Sequence, residues 1–304
     1  MGSTATGKSA VAHYLALTED YDILSADSMS VYRGMDIGTD KPPQDWRRNV
    51  RYDGIDLVDP DQPFSVADYC RAAGVVFRRA RAGGRRVIVV GGTGLYLNCL
   101  IYGLAPRPPA DQNLRKRADE ILLCGGVAAL QNYVKGIAPD VYAVLSDTRN
   151  PRRLVRALEI QSAGARPTVW PKNAPRIPGL QLERGRLWEK IENRASAMFD
   201  AGLLEETRRL ADGGLAQAPT ASQAIGYAEA LACLAGDYDR QEAVRRIAAR
   251  TRRLAKRQGT WLRHQLPVDW LEVDRDMPVM QQARMVLKHW QKHGPTPVNI
   301  NHEN

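Results

Sequence analysis

Eight residues at the start of the chain have the types and the spacing of a phosphate-binding loop. Gly2 to Ser9 fits the pattern G-x-x-x-x-G-K-[ST]. In this pattern backbone N–H groups surround a pyrophosphate, the lysine adds a positive charge and the last hydroxyl can reach Mg²⁺. We predict a diphosphate site with Ser9 as the metal ligand. The loop residues predicted to bind the pyrophosphate are Gly2, Thr4, Ala5, Thr6, Gly7, Lys8 and Ser9.

The residues that follow supply the elements that such a loop needs around it. Residues 9–17 are predicted to form a helix whose positive dipole end and free N–H groups face the anion. Tyr21 to Asp27 reads as a short buried strand ending in an acid, and open α/β sheets bind ligands at this end of their strands. We expect Asp27 to lie beside the loop. Its ordinary roles would be those of a helix cap or a Mg²⁺ ligand.

A loop of this type follows a strand, yet Met1 stands directly before Gly2. We therefore predict an α/β fold with a P-loop-type parallel sheet flanked by helices, in which the first strand is missing from this sequence. Apolar residues added before Met1 are expected to raise both stability and activity.

A second strand is predicted at Val87 to Val90, and it ends in the glycine-rich segment Gly91 to Gly94. A P-loop ATPase normally has an aspartate at such a place to hold Mg²⁺. Glycines instead allow the backbone to approach a ligand closely, although a plain strand-to-helix turn would explain this segment taken alone.

Residues 109–183 are predicted to form an all-helical insertion, with residues 1–108 and 184–304 as the core domain. We find helical patterns broken at Gly125-Gly126, no convincing strand between 107 and 184, and a proline-rich exposed linker over 167–178. Pro151 begins a helix with several arginines on neighbouring positions. Such arginines most often form a solvated face.

The composition is that of an ordinary globular protein. The chain has 304 residues, of which 44% are hydrophobic and 25% charged. No run of about 18 apolar residues and no secretory signal pattern is found, so we expect a cytoplasmic protein without a membrane partner. The four cysteines lack C-x-x-C spacing, which argues against a zinc site and against a disulfide framework.

The net charge of +9 is concentrated in one segment. Residues 245–263 contain eight basic residues and no acidic one, on a helical pattern that leaves the arginines opposite an apolar face. This concentration predicts a polyanionic partner. A membrane-surface helix is the alternative, but the segment lacks the bulky apolar residues that insert into lipid.

Four segments together resemble the tRNA dimethylallyltransferase (tRNA isopentenyltransferase) family. They are the run Asp27 to Pro42, the segment Gly91 to Tyr96, Gln223 to Tyr227, and Thr251 to Arg263. The resemblance covers nearly the whole chain. It departs from the family pattern at Tyr52-Asp53, where two histidines are usual, at Met29-Ser30, where Arg-Gln is frequent, and at Lys190, where arginine is usual.

The resemblance implies transfer of a dimethylallyl group from its pyrophosphate to N6 of the adenosine 3′ to the anticodon. It implies Mg²⁺ as cofactor, the tRNA anticodon stem-loop and dimethylallyl pyrophosphate as partners, and a monomer. Lys8, Asp27 and Thr93 would be catalytic, and Arg184 and Lys190 would bind the pyrophosphate. The residues expected to contact tRNA are Asp27, Ser28, Met29, Ser30, Thr93, Arg115, Arg152, Arg153, Leu154, Val155, Arg156, Gln223, Gly226, Arg252, Lys256, Arg257 and Gln258.

The chemistry of such a transfer suits these residue types. Negative charge builds on the departing pyrophosphate, and the loop amides with Lys8 can stabilise it. The attacking adenine amine must lose a proton, for which a nearby carboxylate such as Asp27 is suited. Two alternatives remain open at this point: a P-loop nucleoside or small-molecule kinase, and an RNA-binding relative that has lost catalysis.

Overall fold

The computed structural model describes residues 1–104, 111–145, 147–165, 176–274 and 276–299. The chain forms two compact units, one of residues 1–104 and 171–304 and the other of residues 105–170. In the described ranges the α-helices are α1 (Lys8–Glu19), α2 (Gln44–Asn49), α3 (Val66–Ala82), α4 (Gly94–Tyr102), α5 (Gln112–Ile137), α6 (Pro139–Ala143), α7 (Pro151–Ser162), α8 (Arg184–Asp200), α9 (Leu203–Asp212), α10 (Tyr227–Ala235), α11 (Arg240–Gln265) and α12 (Val279–His293).

The larger unit contains two parallel sheets. The strands are β1 (Tyr21–Ala26), β2 (Tyr52–Asp53), β3 (Arg86–Gly91), β4 (Ile177–Leu182) and β5 (Val268–Val273). They form a three-stranded sheet in the order β2-β1-β3 and a two-stranded sheet of β4 and β5. Each neighbouring pair is parallel. Parallel strands are joined through crossover connections, and here α2 lies between β1 and β2 and α3 between β2 and β3.

The predicted elements around the loop are confirmed. The helix expected over 9–17 is α1, the strand expected to end in Asp27 is β1, and the strand expected over 87–90 is β3. These elements are short but have unambiguous patterns: β1 carries three consecutive buried residues and α1 buries one face. The carboxyl ends of β1 and β3 therefore lie side by side, with Ala26 paired to Gly91.

The expectation of no strand between 107 and 184 was wrong. Ile177 to Leu182 forms β4, which pairs with β5 along its whole length. The linker expected over 167–178 is shorter than predicted, because Pro178 belongs to this strand. Its proline and glycine hid the strand pattern, since both residues weaken a strand in isolation and are tolerated near its start or at an edge. The linker residues from 167 to 175 lie outside the described residues.

The smaller unit is helical over its described residues. Helices α5, α6 and α7 surround a core that includes Leu130, Val134 and Leu158. The predicted break falls at Gly126, whose φ of 64° and ψ of −166° interrupt α5. A positive φ costs little at glycine, and this explains why the break is placed there.

Across the described ranges, no helix combines the length and apolar character required to cross a bilayer.

Candidate active site

The phosphate-binding loop leaves the start of α1 open to an anion. Gly7 precedes α1 with a φ of 88°, no side chain caps the helix, and its first turn has no acidic residue. Ala5 also has a positive φ, of 65°. Because a non-glycine residue in this region is strained, the surrounding structure must hold the loop in shape. Uncapped N–H groups at a helix start form a ready anion site.

Lys8 is the cation of this site, and its environment disfavours its charge. Its Nζ donates to the Ser3 carbonyl at 3.2 Å. Desolvation by burial lowers the pKa of Lys8. The negative charges of Asp27 and Asp40 act in the opposite direction, and the positive charge of Arg194 lowers the pKa further. These four charged groups therefore lie in one electrostatic site. A pyrophosphate bound here would place a negative charge beside Lys8, which has no ion pair with a described residue.

Asp27 is held at the carboxyl end of β1 beside Thr93. Its Oδ1 accepts the Met29 N–H at 2.9 Å, which fixes the side chain in a turn. The Ser28 N–H donates to Thr93 Oγ1 at 3.0 Å, and the Thr93 N–H donates to the Ala26 carbonyl at 3.1 Å. The carboxylate keeps its second oxygen available to a ligand, because no described residue donates to Oδ2. This arrangement suits a proton acceptor.

Close packing explains the glycines of the segment after β3. A Cβ added at Gly92 would lie 2.5 Å from Gln258 Nε2, and one added at Gly94 would lie 2.1 Å from the Trp261 ring. The Gln258 side chain in turn accepts the Thr4 N–H of the loop at 2.8 Å. Helix α11 therefore positions the phosphate-binding loop and the Thr93 segment together.

A second group of buried polar contacts holds residues 36–41. Tyr227 donates to Glu206, and Glu206 accepts the Ile37 N–H at 3.0 Å. Lys41 is fully buried at its side chain and contacts Asp56 at 2.6 Å and Asp36 at 3.0 Å. Burial and the adjacent Glu206 raise the pKa of Tyr227, so this phenol stays a donor. These contacts order the segment that ends near Asp40 at the site.

One group of three potential metal ligands is found among the described residues, and it lies outside this site. Asp269 is close to His289 and His293. Its carboxylate is already paired, since Arg176 contacts Oδ1 at 2.5 Å and His289 contacts Oδ2 at 2.9 Å. A structural ion pair accounts for this group.

Comparisons with known proteins agree with the geometry. The family model described as IPP transferase matches residues 30–265. The chain belongs to the IPP transferase family. It is 41% identical to the tRNA dimethylallyltransferase of Geobacter sulfurreducens, over 89% of this chain and 90% of that protein. It is 39% identical to the tRNA dimethylallyltransferase of Desulforudis audaxviator, over 94% of both proteins.

Solved structures show the same fold. The full-length tRNA isopentenylpyrophosphate transferase of Bacillus halodurans superposes with a TM-score of 0.68 and 35% identity, covering 96% of this chain and 95% of that one. A eukaryotic dimethylallyltransferase acting on tRNA superposes with a TM-score of 0.73, covering 97% of this chain and 79% of that one. Its identity is 22%, so it supports the fold alone.

The departure from the family pattern at Tyr52-Asp53 has a structural explanation. The Tyr52 hydroxyl and His13 Nδ1 are 2.9 Å apart, and Asp53 forms two hydrogen bonds with Arg79, at 3.1 and 2.6 Å. Both residues therefore have partners on neighbouring helices, His13 on α1 and Arg79 on α3. These contacts hold β2 against α1 and α3.

The residues predicted for the pyrophosphate are only partly brought together. The loop itself forms the anion site, whereas Arg184 is exposed at the start of α8 and Lys190 is half-buried one helical turn and a half further on. Neither has a described contact with the loop. Arg194, on the same helix, is the residue whose charge reaches Lys8, and it pairs with Asp40 at 2.6 Å. Arg194 was not among the residues predicted from the sequence, because its contact with Asp40 joins residues 154 positions apart.

Three residues expected to contact tRNA are buried in this structure. Leu154 is fully buried in the core of the smaller unit, because it lies on the inner face of α7. Ser30 is 5% exposed. Gly226 is buried against Gly38, where a Cβ would lie 3.4 Å from the Gly38 Cα. Burial at these three positions contributes to the packing of the fold.

The other arginines predicted on the insertion differ in their availability. Arg152 is exposed on α7 and Val155 is half-buried beside it. Arg115 and Arg156 contact the buried Glu159, at 2.9 and 2.7 Å. These hydrogen bonds lower the pKa of Glu159 against the opposing effect of its burial. Arg115 and Arg156 therefore stabilise the unit in addition to any role toward RNA.

The basic face of α11 is smaller than its sequence suggested. Four of its eight basic residues form ion pairs with carboxylates. Arg245 and Arg246 pair with Glu242, Arg250 pairs with Glu229, and Arg252 pairs with Glu192. Arg253, Lys256 and Arg257 are exposed and have no ion pair with a described residue. We call these three residues the α11 basic patch. Gln223 is also exposed, and its backbone carbonyl accepts a hydrogen bond from Arg250.

Proposed function

We propose that this chain transfers a dimethylallyl group from dimethylallyl pyrophosphate to N6 of the adenosine 3′ to the anticodon in tRNA. The observation that carries the proposal is that a carboxylate and the lysine of a pyrophosphate loop lie in one site. The charge of Asp27 raises the pKa of Lys8, so the two groups are close together. In addition, β3 ends in Gly91, at the position where an ATPase would have its metal-binding acid. The names of the curated relatives support the same reaction.

The loop and its cations are suited to a leaving pyrophosphate. Breaking the allylic C–O bond places negative charge on the departing oxygen, next to Lys8 and the N–H groups at the start of α1. Lys8 is already desolvated, so its charge acts strongly on a bound anion. Arg194 adds a second positive charge, while its contact with Asp40 fixes its position.

Ser9 is the residue that would hold Mg²⁺. It is exposed in the first turn of α1, and its hydroxyl has no hydrogen bond with a described residue. Mg²⁺ prefers few protein oxygens together with phosphate and water oxygens, which fits a single serine hydroxyl beside a pyrophosphate. When bound, the ion would neutralise part of the leaving group's charge.

Asp27 would accept the proton that the adenine amine loses as it attacks carbon. The amine is a weak nucleophile because its lone pair is delocalised into the ring, so removal of its proton must accompany attack. Thr93, whose side chain and backbone are held by Ser28 and Ala26, would contact the base beside this carboxylate. The adenosine must leave its stack to enter the site, at a cost of a few kcal/mol. Contacts with phosphates offset this cost.

The decisive experiment supplies labelled dimethylallyl pyrophosphate, Mg²⁺ and total tRNA. We expect label in the RNA, release of pyrophosphate, and N6-(dimethylallyl)adenosine in a nucleoside digest measured by mass spectrometry. Transfer of the γ-phosphate of ATP to a nucleoside, without prenyl transfer, would identify a kinase. Binding of tRNA with neither transfer would identify an RNA-binding protein without catalysis.

The α11 basic patch is expected to contribute to tRNA affinity. Replacing Arg253, Lys256 and Arg257 together by alanine should weaken binding about 10- to 100-fold, and the slope of log K against log salt should become shallower by about two. The control replaces Arg245 and Arg246, which already pair with Glu242. Filter binding over a salt series measures both quantities. Equal losses in the two variants would contradict the assignment.

A further inference from the structure

Gln258 contacts two segments of the site that lie far apart in the chain. Its Oε1 accepts the N–H of Thr4, 254 positions away, at 2.8 Å. Its Nε2 lies against Gly92, where an added Cβ would come within 2.5 Å of it. The same Cβ would lie 3.0 Å from the Gly2 carbonyl, so the loop and the segment after β3 are in contact here. One glutamine side chain therefore touches both segments at the place where they meet.

The hydrogen bond to Thr4 supports the phosphate-binding loop from outside. Among the described residues, it is the one hydrogen bond that links residues 2–7 to the chain beyond α1. The loop then turns through Ala5 and Gly7, which have φ values of 65° and 88°. A positive φ at alanine is strained and persists only where surrounding contacts hold it. Gln258 therefore holds the loop directly before its strained turn.

The contact with Gly92 connects Gln258 to the other half of the site. Gly92 directly precedes Thr93, whose Oγ1 accepts the Ser28 N–H at 3.0 Å. Ser28 in turn directly follows Asp27, the carboxylate at the end of β1. Gln258 is therefore bonded to the loop that faces the leaving group and packed against the segment that holds the proton acceptor.

The position of Gln258 on α11 turns its side chain toward the protein. Ala255 lies three positions before it and Leu262 four positions after it, and both are buried on this face of the helix. Gln258 itself is half-buried, whereas the adjacent Arg257 of the α11 basic patch is exposed. The glutamine therefore lies behind the surface that we expect to bind tRNA.

We propose that Gln258 is a positioning residue for the transfer, which holds the phosphate-binding loop and the Thr93 segment at a fixed separation. This role rests on the proposed function, in which the two segments face the leaving pyrophosphate and the adenine. Transfer needs the amine close to the allylic carbon while the C–O bond breaks, and a misplacement of about 1 Å can cost about 10²-fold in rate. The role differs from the tRNA contact that the resemblance implies for Gln258.

Gln258→Met tests this role, because methionine has a similar length but cannot accept the Thr4 N–H. At saturating tRNA and dimethylallyl pyrophosphate, single-turnover transfer should slow about 30- to 100-fold, whereas the Kd for tRNA should stay that of the parent. Gln265→Met is the matched control. Gln265 is also half-buried on α11, and its side chain has no hydrogen bond with a described residue. This control should transfer at the parent rate.

Gln258→Glu is the conservative variant and should restore most of the rate. Its carboxylate can still accept the Thr4 N–H, so the two segments stay in place. Its negative charge lies near the bound diphosphate, so the KM for dimethylallyl pyrophosphate should rise. At saturation the transfer rate should nevertheless stay well above that of Gln258→Met. A loss of stability alone would not separate the KM from the rate in this way.

The outcomes distinguish this role from the proposed function. Failure of the parent itself to transfer would reject the proposed function, and the role of Gln258 with it. If the parent transfers, a parental rate in Gln258→Met would overturn the positioning role alone. A loss of tRNA affinity as large as the loss of rate would do the same, and so would equal rates in Gln258→Met and Gln258→Glu at saturation. All assays are run below the thermal denaturation midpoint of the least stable variant.

Discussion

The Asp27→Asn variant should lose about 10²- to 10⁴-fold in the rate of prenyl transfer while it binds tRNA as tightly as the parent. Asparagine retains an oxygen that can accept the Met29 N–H, so the turn at the end of β1 is preserved. It cannot accept a proton from the adenine amine. The loss therefore falls on the chemical step, which single-turnover transfer at saturating substrates measures.

The interpretation of Asp27→Asn depends on two comparisons. An exposed carboxylate outside the site, Asp61, provides the control, and Asp61→Asn should transfer at the parent rate. Unfolding of both variants by urea should match the parent, because neither change removes a buried contact. Parental transfer by Asp27→Asn would exclude Asp27 as the proton acceptor. A loss of tRNA affinity equal to the loss of rate would assign it a binding role instead.

The sequence could predict the part of the site whose residues lie close together along the chain. The loop, α1 and β1 lie within the first 26 residues, and their geometry follows from a glycine pattern and one run of buried residues. The pairing of β1 with β3 then places Thr93 beside Ser28, because the carboxyl ends of parallel strands share an edge. Short-range patterns and one topological rule suffice for this much.

The rest depends on contacts between residues far apart in the chain, which no local pattern contains. Arg194 reaches Asp40 across 154 positions, and Arg252 is paired with Glu192 from another helix. Sequence therefore overestimated the free charge on α11 and missed Arg194. The glycine at position 226 illustrates the same limit, since its packing partner, Gly38, belongs to a distant segment.

Two lysines near the site, the buried Lys41 and the half-buried Lys8, show how a charge can stabilise or destabilise the fold. Lys41 contacts Asp36 and Asp56, so its charge is compensated. Lys8 has a single hydrogen bond, to a backbone carbonyl, and burial lowers its pKa as the largest effect. A desolvated cation without an ion-pair partner is typical of a functional group whose ligand completes it.

Lys8→Met should therefore slow transfer strongly and at the same time stabilise the fold. Loss of the charge facing the leaving pyrophosphate should reduce the transfer rate about 10²- to 10³-fold, the range found for a single transition-state donor. Methionine fills a similar volume and has no charge to desolvate, so the free energy of unfolding should rise by about 1 kcal/mol. Pyrophosphate with Mg²⁺ should raise the denaturation midpoint of the parent but hardly that of the variant.

Lys41→Met is the matched control, and the sign of its effect should be opposite. Removing this lysine leaves two carboxylates without their buried partner, which should lower the free energy of unfolding by about 3 kcal/mol. Urea denaturation of both variants measures the two signs in one experiment. Destabilisation of the fold by Lys8→Met would mean that Lys8 is compensated within the protein. If Lys8→Met transferred at the parent rate, Lys8 would have no role in stabilising the leaving pyrophosphate.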